Sequence, residues 1–445
     1  MKKMIFKLEH LKPAQVIILG FLLVIVAGTL LLMLPFSSQP AGSAGFADSL
    51  FTATSAVCVT GLVVQDTASF WTPFGQVVIL CLIQIGGLGV VTVALALALV
   101  SGRKIGLLQR NIMQESISAP QICGIVKFTR FILLSTFSIE GIGAAIMLPE
   151  FVKRFGPAEG IWCAVFHSVS AFCNAGFDLM GKGHKYASLT SFAANPVINC
   201  TIMGLIIVGG IGFLTWMDFA IHGIHLRKFR LQSRVVLLVT VILIAVPAVC
   251  FYFGEFTTGT TKERILLSLF QSVTPRTAGF NTADLTKLSD NGIMILIVLM
   301  LIGGSPASTA GGMKTTTLAV LLASSLAVFR QKKDTDLFGR RISIDSIRNA
   351  GAILLLYLSL FLVGGMLISL IEGIPLLTCL FETASAVGTV GLTLGITPGL
   401  SLISRGILVL LMYIGRVGGL TLNFATVSDR SANSGRLPEE RITVG

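Results

Sequence analysis

The stretch FETASAVGTVGL, residues 381–392, has three kin in the chain, and that recurrence decides the fold. FTATSAVCVTGL occupies 51–62, FHSVSAFCNAGF 166–177 and FQSVTPRTAGF 270–280. Each begins with a Phe (Phe51, Phe166, Phe270, Phe381) and has a Ser or Thr four residues on (Ser55, Ser170, Thr274, Ser385). Each then reaches a Gly followed by Leu or Phe (Gly61, Gly176, Gly279, Gly391), and the third copy is one residue shorter. The glycines lie 115, 103 and 112 residues apart, so the chain consists of four large units, not a solenoid of small ones.

Outward from each copy lies an apolar run on either side. Each unit therefore reads as an apolar helix, a short half-helix running into a Gly turn, and a second apolar helix. The units are 1–110, 111–225, 226–345 and 346–445. The first helices are expected at 16–34, 128–148, 235–253 and 352–371. The second are expected at 77–100, 197–221, from about Gly292 with an interruption, and at 407–424. Asp48 is placed to cap the first half-helix, Thr260 and Glu263 have the spacing of a capping box, and Pro375 suits the first turn of the fourth half-helix. The second helices also match one another, at Ile85-Gly86-Gly87, Val208-Gly209-Gly210, Ile302-Gly303-Gly304 and Ile414-Gly415-Arg416. Small residues there let helices approach closely.

Composition agrees. Of 445 residues, 53% are hydrophobic and 12% charged, where soluble domains carry about 25% charge. Many uncharged runs reach the roughly 18 to 25 residues that cross a bilayer. The run 16–34 follows a basic N-terminus, but it is too long for a signal segment and the repeat requires it, so it is expected to be a retained helix. The eight cysteines form no CxxC pair and no zinc-ligand spacing, and they read as small apolar fillers. The net charge of +12 comes without an aromatic-studded basic domain, which argues against nucleic acid as a partner. Position explains it better. With the N-terminus inside and each half-helix dipping in from the far side, 23 Lys and Arg lie inside and 9 outside, leaving Arg416 in the membrane. Eight crossings, four re-entrant loops and two cytoplasmic termini follow. The outer mouth holds 11 acids against 9 inside, which mildly favours cations.

Non-helical backbone at membrane depth is tolerated only where protein buries it or where it lines water. Four equivalent turns satisfy that by facing one axis. A ring of their carbonyls can replace the water shell of a dehydrated monovalent cation. Gly supplies the positive φ that such backbone needs, and the half-helix C-termini add partial negative charge. The candidate donors are Cys58, Val59, Thr60 and Gly61; Asn174, Ala175 and Gly176; Thr277, Ala278 and Gly279; and Gly388, Thr389, Val390 and Gly391. Arg276, beside the third turn, reads as holding that shortened loop.

The fold class expected is thus an all-α membrane protein: four helix–pore-loop–helix repeats around a pseudo-four-fold pore. Here the chain resembles the Trk/Ktr/HKT superfamily of potassium transporters. LIQIGGLG at 82–89, TPRTAGFN at 274–281 and FETASAVGTVGLT at 381–393 are similar to the KtrB/KtrD membrane subunits of the bacterial Ktr system. The resemblance covers nearly the whole chain. It implies potassium (K+) uptake, one path per subunit, a homodimer, and a cytosolic octameric nucleotide-binding ring of the KtrA or KtrC type. The chain has no GxGxxG unit of its own, which agrees with a separate regulator. Gly in all four turns implies potassium preference. Sodium (Na+) as a coupling or activating ion stays open, and no covalent cofactor is expected.

Unit three departs from the others at Gly303, Gly304, Ser305, Pro306, Ala307, Ser308, Thr309, Ala310, Gly311 and Gly312. This density of Gly, Ser and Pro breaks a helix at membrane depth. The segment reads either as a gate below the carbonyl ring, as the resemblance also implies, or as a passive kink. Arg416 stands where the other units have Gly87, Gly210 and Gly304. A charge there is costly and is usually functional or paired. It either donates to the loop's carbonyls or pairs with Glu140, which itself reads as structural. Lys314 is expected to begin the resumed helix near the cytoplasmic surface. The basic segment 330–348 suits acidic lipid, a partner ring or plain solvent. Two rival functions remain. An alternating-access carrier favours paired, inverted halves, whereas the units here run in one direction. An intramembrane enzyme needs HExxH, GxSxG or a comparable constellation, and none occurs.

Overall fold

The computed structural model describes residues 12–90, 92–93, 114 and 124–418. Four helices are long and apolar enough to cross a bilayer by themselves: Pro13–Leu32, Ile125–Phe155, Leu231–Gly254 and Ile344–Glu372. They show apolar side chains outward, with Leu23 68% and Leu370 81% exposed, as contact with lipid tails allows. Each is followed by a half-helix: Phe46–Val57, Pro157–Phe172, Thr261–Val273 and Leu376–Gly388. The half-helices are the inner layer, and Phe51, Phe166, Phe270 and Phe381 are buried in the core.

Local chemistry sets their starts. Thr260 and Glu263 form the reciprocal capping box that their spacing predicts, with Thr260 N donating to Glu263 Oε2 at 3.1 Å. Pro157 opens the second half-helix, where a missing N–H costs nothing. Pro375 sits one residue earlier than expected, as the N-cap of the fourth. Asp48 is not a cap, because its helix begins at Phe46 with Gly45 as N-cap. Its carboxylate instead accepts from Gln65 Nε2 at 2.9 Å and pairs with Arg405 at 3.0 Å.

The second helices depart most from expectation. Pro73–Leu88 ends at Gly89; Pro196–Gly210 turns by 95° into Phe213–His222 at Gly212; Leu402–Val417 ends at Gly418. These three glycines share one conformation, with φ of 87°, 92° and 88° and ψ of 131°, 143° and 138°. A side chain is strained there, which is why the break falls on glycine. An unbroken second helix over 197–221 is therefore corrected to a sharply bent pair. The interruption in unit three is the enlarged version of a break that units one and two also show at Gly89 and Gly212. In unit three Asp290–Leu301 and Thr315–Phe329 flank a long loop. Much of the expected helix ends 77–100 and 407–424 lies outside the described residues. The basic segment contains a small antiparallel hairpin, Asp336–Leu337 with Arg340–Arg341. Lys332 pairs there with Asp336 at 2.8 Å and Arg341 with Asp334 at 2.9 Å, so part of its charge is already neutralised.

Candidate functional site

The four half-helices end in turns of one design. The residue two before each motif Gly has positive φ in every unit: Val59 at 56°, Asn174 at 59°, Thr277 at 67° and Thr389 at 53°. The glycines follow at 89°, 69°, 79° and 93°. Such backbone is costly for non-Gly residues and persists only where its surroundings fix it. The motif Ser or Thr supplies part of that fixing. Ser55 Oγ accepts from Gly61 N at 3.0 Å and Ser385 Oγ from Gly391 N at 2.9 Å. Ser170 Oγ donates to Phe177 O at 2.8 Å and Thr274 Oγ1 to Phe280 O at 2.6 Å. The hydroxyl thus ties the end of the half-helix to the far side of its own turn.

The turns meet in a closed cycle. A Cβ placed on Gly61 would lie 2.4 Å from Ala175 O; one on Gly176, 2.7 Å from Ala278 O. One on Gly279 would lie 2.3 Å from Val390 O, and one on Gly391, 2.1 Å from Thr60 O. Each turn therefore abuts the next in chain order, and the fourth returns to the first. Asn174 Nδ2 adds a bond to Thr277 Oγ1 at 3.2 Å. Thr60 Oγ1, Asn174 Oδ1 and Thr389 Oγ1 are buried with no protein partner. Arg276 contributes through its carbonyl, 3.4 Å from Asn174 Nδ2; its buried Nε has no protein partner.

On one side of the ring lies a cavity of about 220 Å³ with all four motif glycines in its wall, together with Asp66, Asp178 and Asp284. Asp178 lies in the loop beyond the turn, outside the spanning helices. Burial pushes its carboxyl up to about 7, against a hydrogen bond from Met180 N, and Asp66 adds to the rise.

The loop between Leu301 and Thr315 occupies the other side. Gly303 N donates to Met313 O at 2.8 Å, Thr315 N to Gly304 O at 3.0 Å and Ser308 Oγ to Ser305 O at 2.7 Å, so the loop is folded on itself. It is also fastened to unit two. Ser305 N donates to Gly210 O at 2.9 Å, Thr309 N to Gly209 O at 3.3 Å, Phe213 N to Ala307 O at 2.6 Å, and Thr309 Oγ1 to Phe172 O at 3.1 Å. A Cβ on Gly212 would lie 2.5 Å from Pro306 O. Toward unit four, a Cβ on Gly311 would lie 2.0 Å from Thr389 Oγ1, and one on Gly312, 2.9 Å from Gly388 O. Ala310 is buried against Gly304.

Arg416 reaches this loop. Its guanidinium donates to Thr309 O, to Gly86 O at 2.5 Å and to Gly87 O at 3.2 Å. Among the described residues no carboxylate lies within ion-pair distance of it. Glu140 is occupied elsewhere, accepting from Gln84 Nε2 at 3.3 Å. Lys314 overturns its expectation. It does precede the resumed helix, but that helix continues for 15 residues, which places Lys314 roughly 20 Å from the far end. Its Nζ donates to Ala310 O at 2.8 Å and Gly311 O at 3.3 Å. Two cations thus hold three successive loop carbonyls. The shared third glycine of the second helices and the inward Lys314 went unrecognised in the sequence. Aligning GGLG, GGIG and GRVG reveals the first, whereas nothing local signals the second.

Spanning helices with four re-entrant half-helices around one closed ring define the architecture of a multi-pass membrane transporter. The family model of the TrkH cation transport proteins matches residues 6–434. The chain belongs to that family. It is 40% identical to the potassium/sodium uptake protein NtpJ of Enterococcus hirae, over 100% of this chain and 99% of that one. It is 38% identical to Ktr system potassium uptake protein B of Bacillus subtilis, over 100% and 99%, and 31% identical to protein D of the same system, over 98% of each. Among solved structures, the potassium transporter TrkH from Vibrio parahaemolyticus superposes with a TM-score of 0.74 at 20% identity, covering 93% of this chain and 84% of that one. The fold is shared.

Proposed function

We propose that this chain carries potassium into the cell through the ring of glycine turns, down its electrochemical gradient. The observation that carries the reading is the closed Gly–carbonyl cycle of Gly61, Gly176, Gly279 and Gly391. Thr60 O, Ala175 O, Ala278 O and Val390 O are the contact points of that cycle, and with their neighbours in each turn they supply a monovalent cation with oxygens in place of water. The acidic cavity is the external mouth, both termini are cytoplasmic, and the loop 303–312 is the gate, latched by Arg416 and Lys314. The protein works as a homodimer on a cytosolic nucleotide-binding ring. The Ktr names of its relatives support potassium as cargo and a multi-component system. NtpJ's name favours a second reading, in which sodium is co-transported or activating.

The test is flux in proteoliposomes in potassium, sodium and rubidium, with and without Gly391→Ser. Any side chain at Gly391, whose φ is 93°, pushes against Thr60 O. The expected result is a loss of potassium preference. An unaltered preference removes this position from the coordination site.

A further inference from the structure

Each half-helix carries a polar residue immediately after its buried Phe: Thr52, His167, Gln271 and Glu382. In three units that residue reaches the outer arm of its own turn. Glu382, fully buried, accepts through Oε1 from Thr393 Oγ1 at 2.5 Å and Leu394 N at 3.1 Å, and through Oε2 from Thr397 Oγ1 at 2.8 Å. His167 Nδ1 lies 2.7 Å from Cys163 O, which assigns the hydrogen to Nδ1 and leaves Nε2 to accept from Leu179 N at 3.3 Å. Gln271 Nε2 donates to Asn281 Oδ1 at 3.2 Å. These partners stand two or three residues past Gly391, Gly176 and Gly279, and Thr397 lies further along the same arm. Thr52 Oγ1 has no partner, but Asp48, one helical turn earlier on the same face, holds Gln65 beyond Gly61.

Each turn is therefore pinned at two points. The motif hydroxyl holds it near the glycine, and this second residue holds the arm leading out. In the fourth unit Ser385 Oγ takes Gly391 N at 2.9 Å and Glu382 takes Leu394 N at 3.1 Å, so the backbone of Gly391 to Thr393, directly after the ring contact at Val390 O, lies between the two pins.

We propose that Glu382 is a positioning residue for ion discrimination, with His167, Gln271 and Asp48 as its counterparts in the other units. This rests on the ring being the coordination site. A carbonyl ring selects by the size and stiffness of its cage. Releasing the outer pin lets the Val390–Gly391 backbone close on a smaller ion. Glu382 is the strongest of the four struts, since a carboxylate accepts without donating and two of its three bonds come from hydroxyls on a single loop.

The test uses the full chain in proteoliposomes. Glu382→Gln keeps the shape but puts an amide N–H₂ where an acceptor oxygen stood. The expected result is a fall of about tenfold in potassium-over-sodium preference. KM for potassium rises while the maximal rate stays within about twofold, a split that general loosening of the fold does not produce. An unchanged preference in Glu382→Gln, with Gly391→Ser shifted, overturns the strut. Unchanged preference in both overturns the coordination site itself. Where Glu382→Gln does not reach the membrane, Thr397→Val removes one donor and is expected to lower the preference about threefold; no change there overturns the proposal equally.

Discussion

Replacing Arg416 by Gln tests the latch most directly. The guanidinium makes one bond to the loop, at Thr309 O, and two to unit one, at Gly86 O and Gly87 O. It bridges the loop to a fixed helix end. A hydrogen bond with one charged partner contributes about 1.5–3 kcal/mol. The neutral bonds that also seat the loop, from Ser305 N, Thr309 N and Thr309 Oγ1, remain in the variant. Losing the bridge should thus move the closed-to-open ratio by roughly 10- to 150-fold without abolishing the closed state. The measurement is potassium flux into proteoliposomes holding this chain alone, where basal flux should rise at least tenfold. Removing a charge beside the path also lowers an electrostatic barrier, so Arg416→Lys is needed beside it. Lysine keeps the charge but cannot span both carbonyl groups with a planar fork. A latch predicts raised basal flux in both variants. Unchanged flux in Arg416→Gln would refute the latch, and flux raised in Gln but not in Lys would assign Arg416 to a charge barrier instead.

Deleting residues 305–310 removes every bond that ties the loop tip to unit two, so basal flux should exceed that of Arg416→Gln; no rise without the partner counts against a gate. The acidic cavity, proposed as the external mouth, should sense pH through Asp178. Its carboxyl titrates near 7 and is charged above that value and neutral below it. Potassium uptake at low ionic strength should therefore fall about twofold to fivefold as external pH drops from 8 to 6. Asp178→Asn should be flat at the lower level, and a persisting pH response would place the titrating group elsewhere.

The ring was legible in the sequence because its determinants are local. A Gly at fixed distance from a helix end, repeated four times, states a backbone requirement that packing cannot disguise. Arg416 was legible for a similar reason, as a charge in an apolar run at a position where the other units have glycine. Lys314 was not, since two residues past a Gly–Gly pair either side of the chain is open to it. Only the fold decides that its long stem turns back to Ala310 O and Gly311 O. Asp48 misled for a related reason. Near a helix start an acid reads as a cap, but Gln65 and Arg405, its real partners, are remote in sequence. The struts left a readable trace, a polar residue after each motif Phe. That trace gains meaning only once Phe51, Phe166, Phe270 and Phe381 are known to be buried, because buried polar groups are mostly hydrogen-bonded, as His167, Gln271 and Glu382 are here.

The proposed gate in unit three differs from a passive kink in where much of its backbone is satisfied. In units one, two and four the first residue of the Gly-Gly or Gly-Arg pair of the second helix packs on the last carbonyls of its own half-helix: a Cβ on Gly86, Gly209 or Gly415 would lie 2.1, 2.0 or 2.2 Å from Val57 O, Phe172 O or Val387 O. Those three contacts each lie within one unit. In unit three Gly303 packs instead on Gly311 O, so the inserted residues are displaced outward from that contact. They find their partners in Gly209, Gly210, Phe172 and Phe213 of unit two and in Arg416 of unit four. A kink that satisfied itself locally would be indifferent to its neighbours. A segment whose polar groups depend on two other units loses several bonds when either shifts, and buried backbone left unpaired is costly. Its position is consequently a property of how the units sit together. On the proposed gate reading, that dependence lets a shift of the second helices move the loop without touching it.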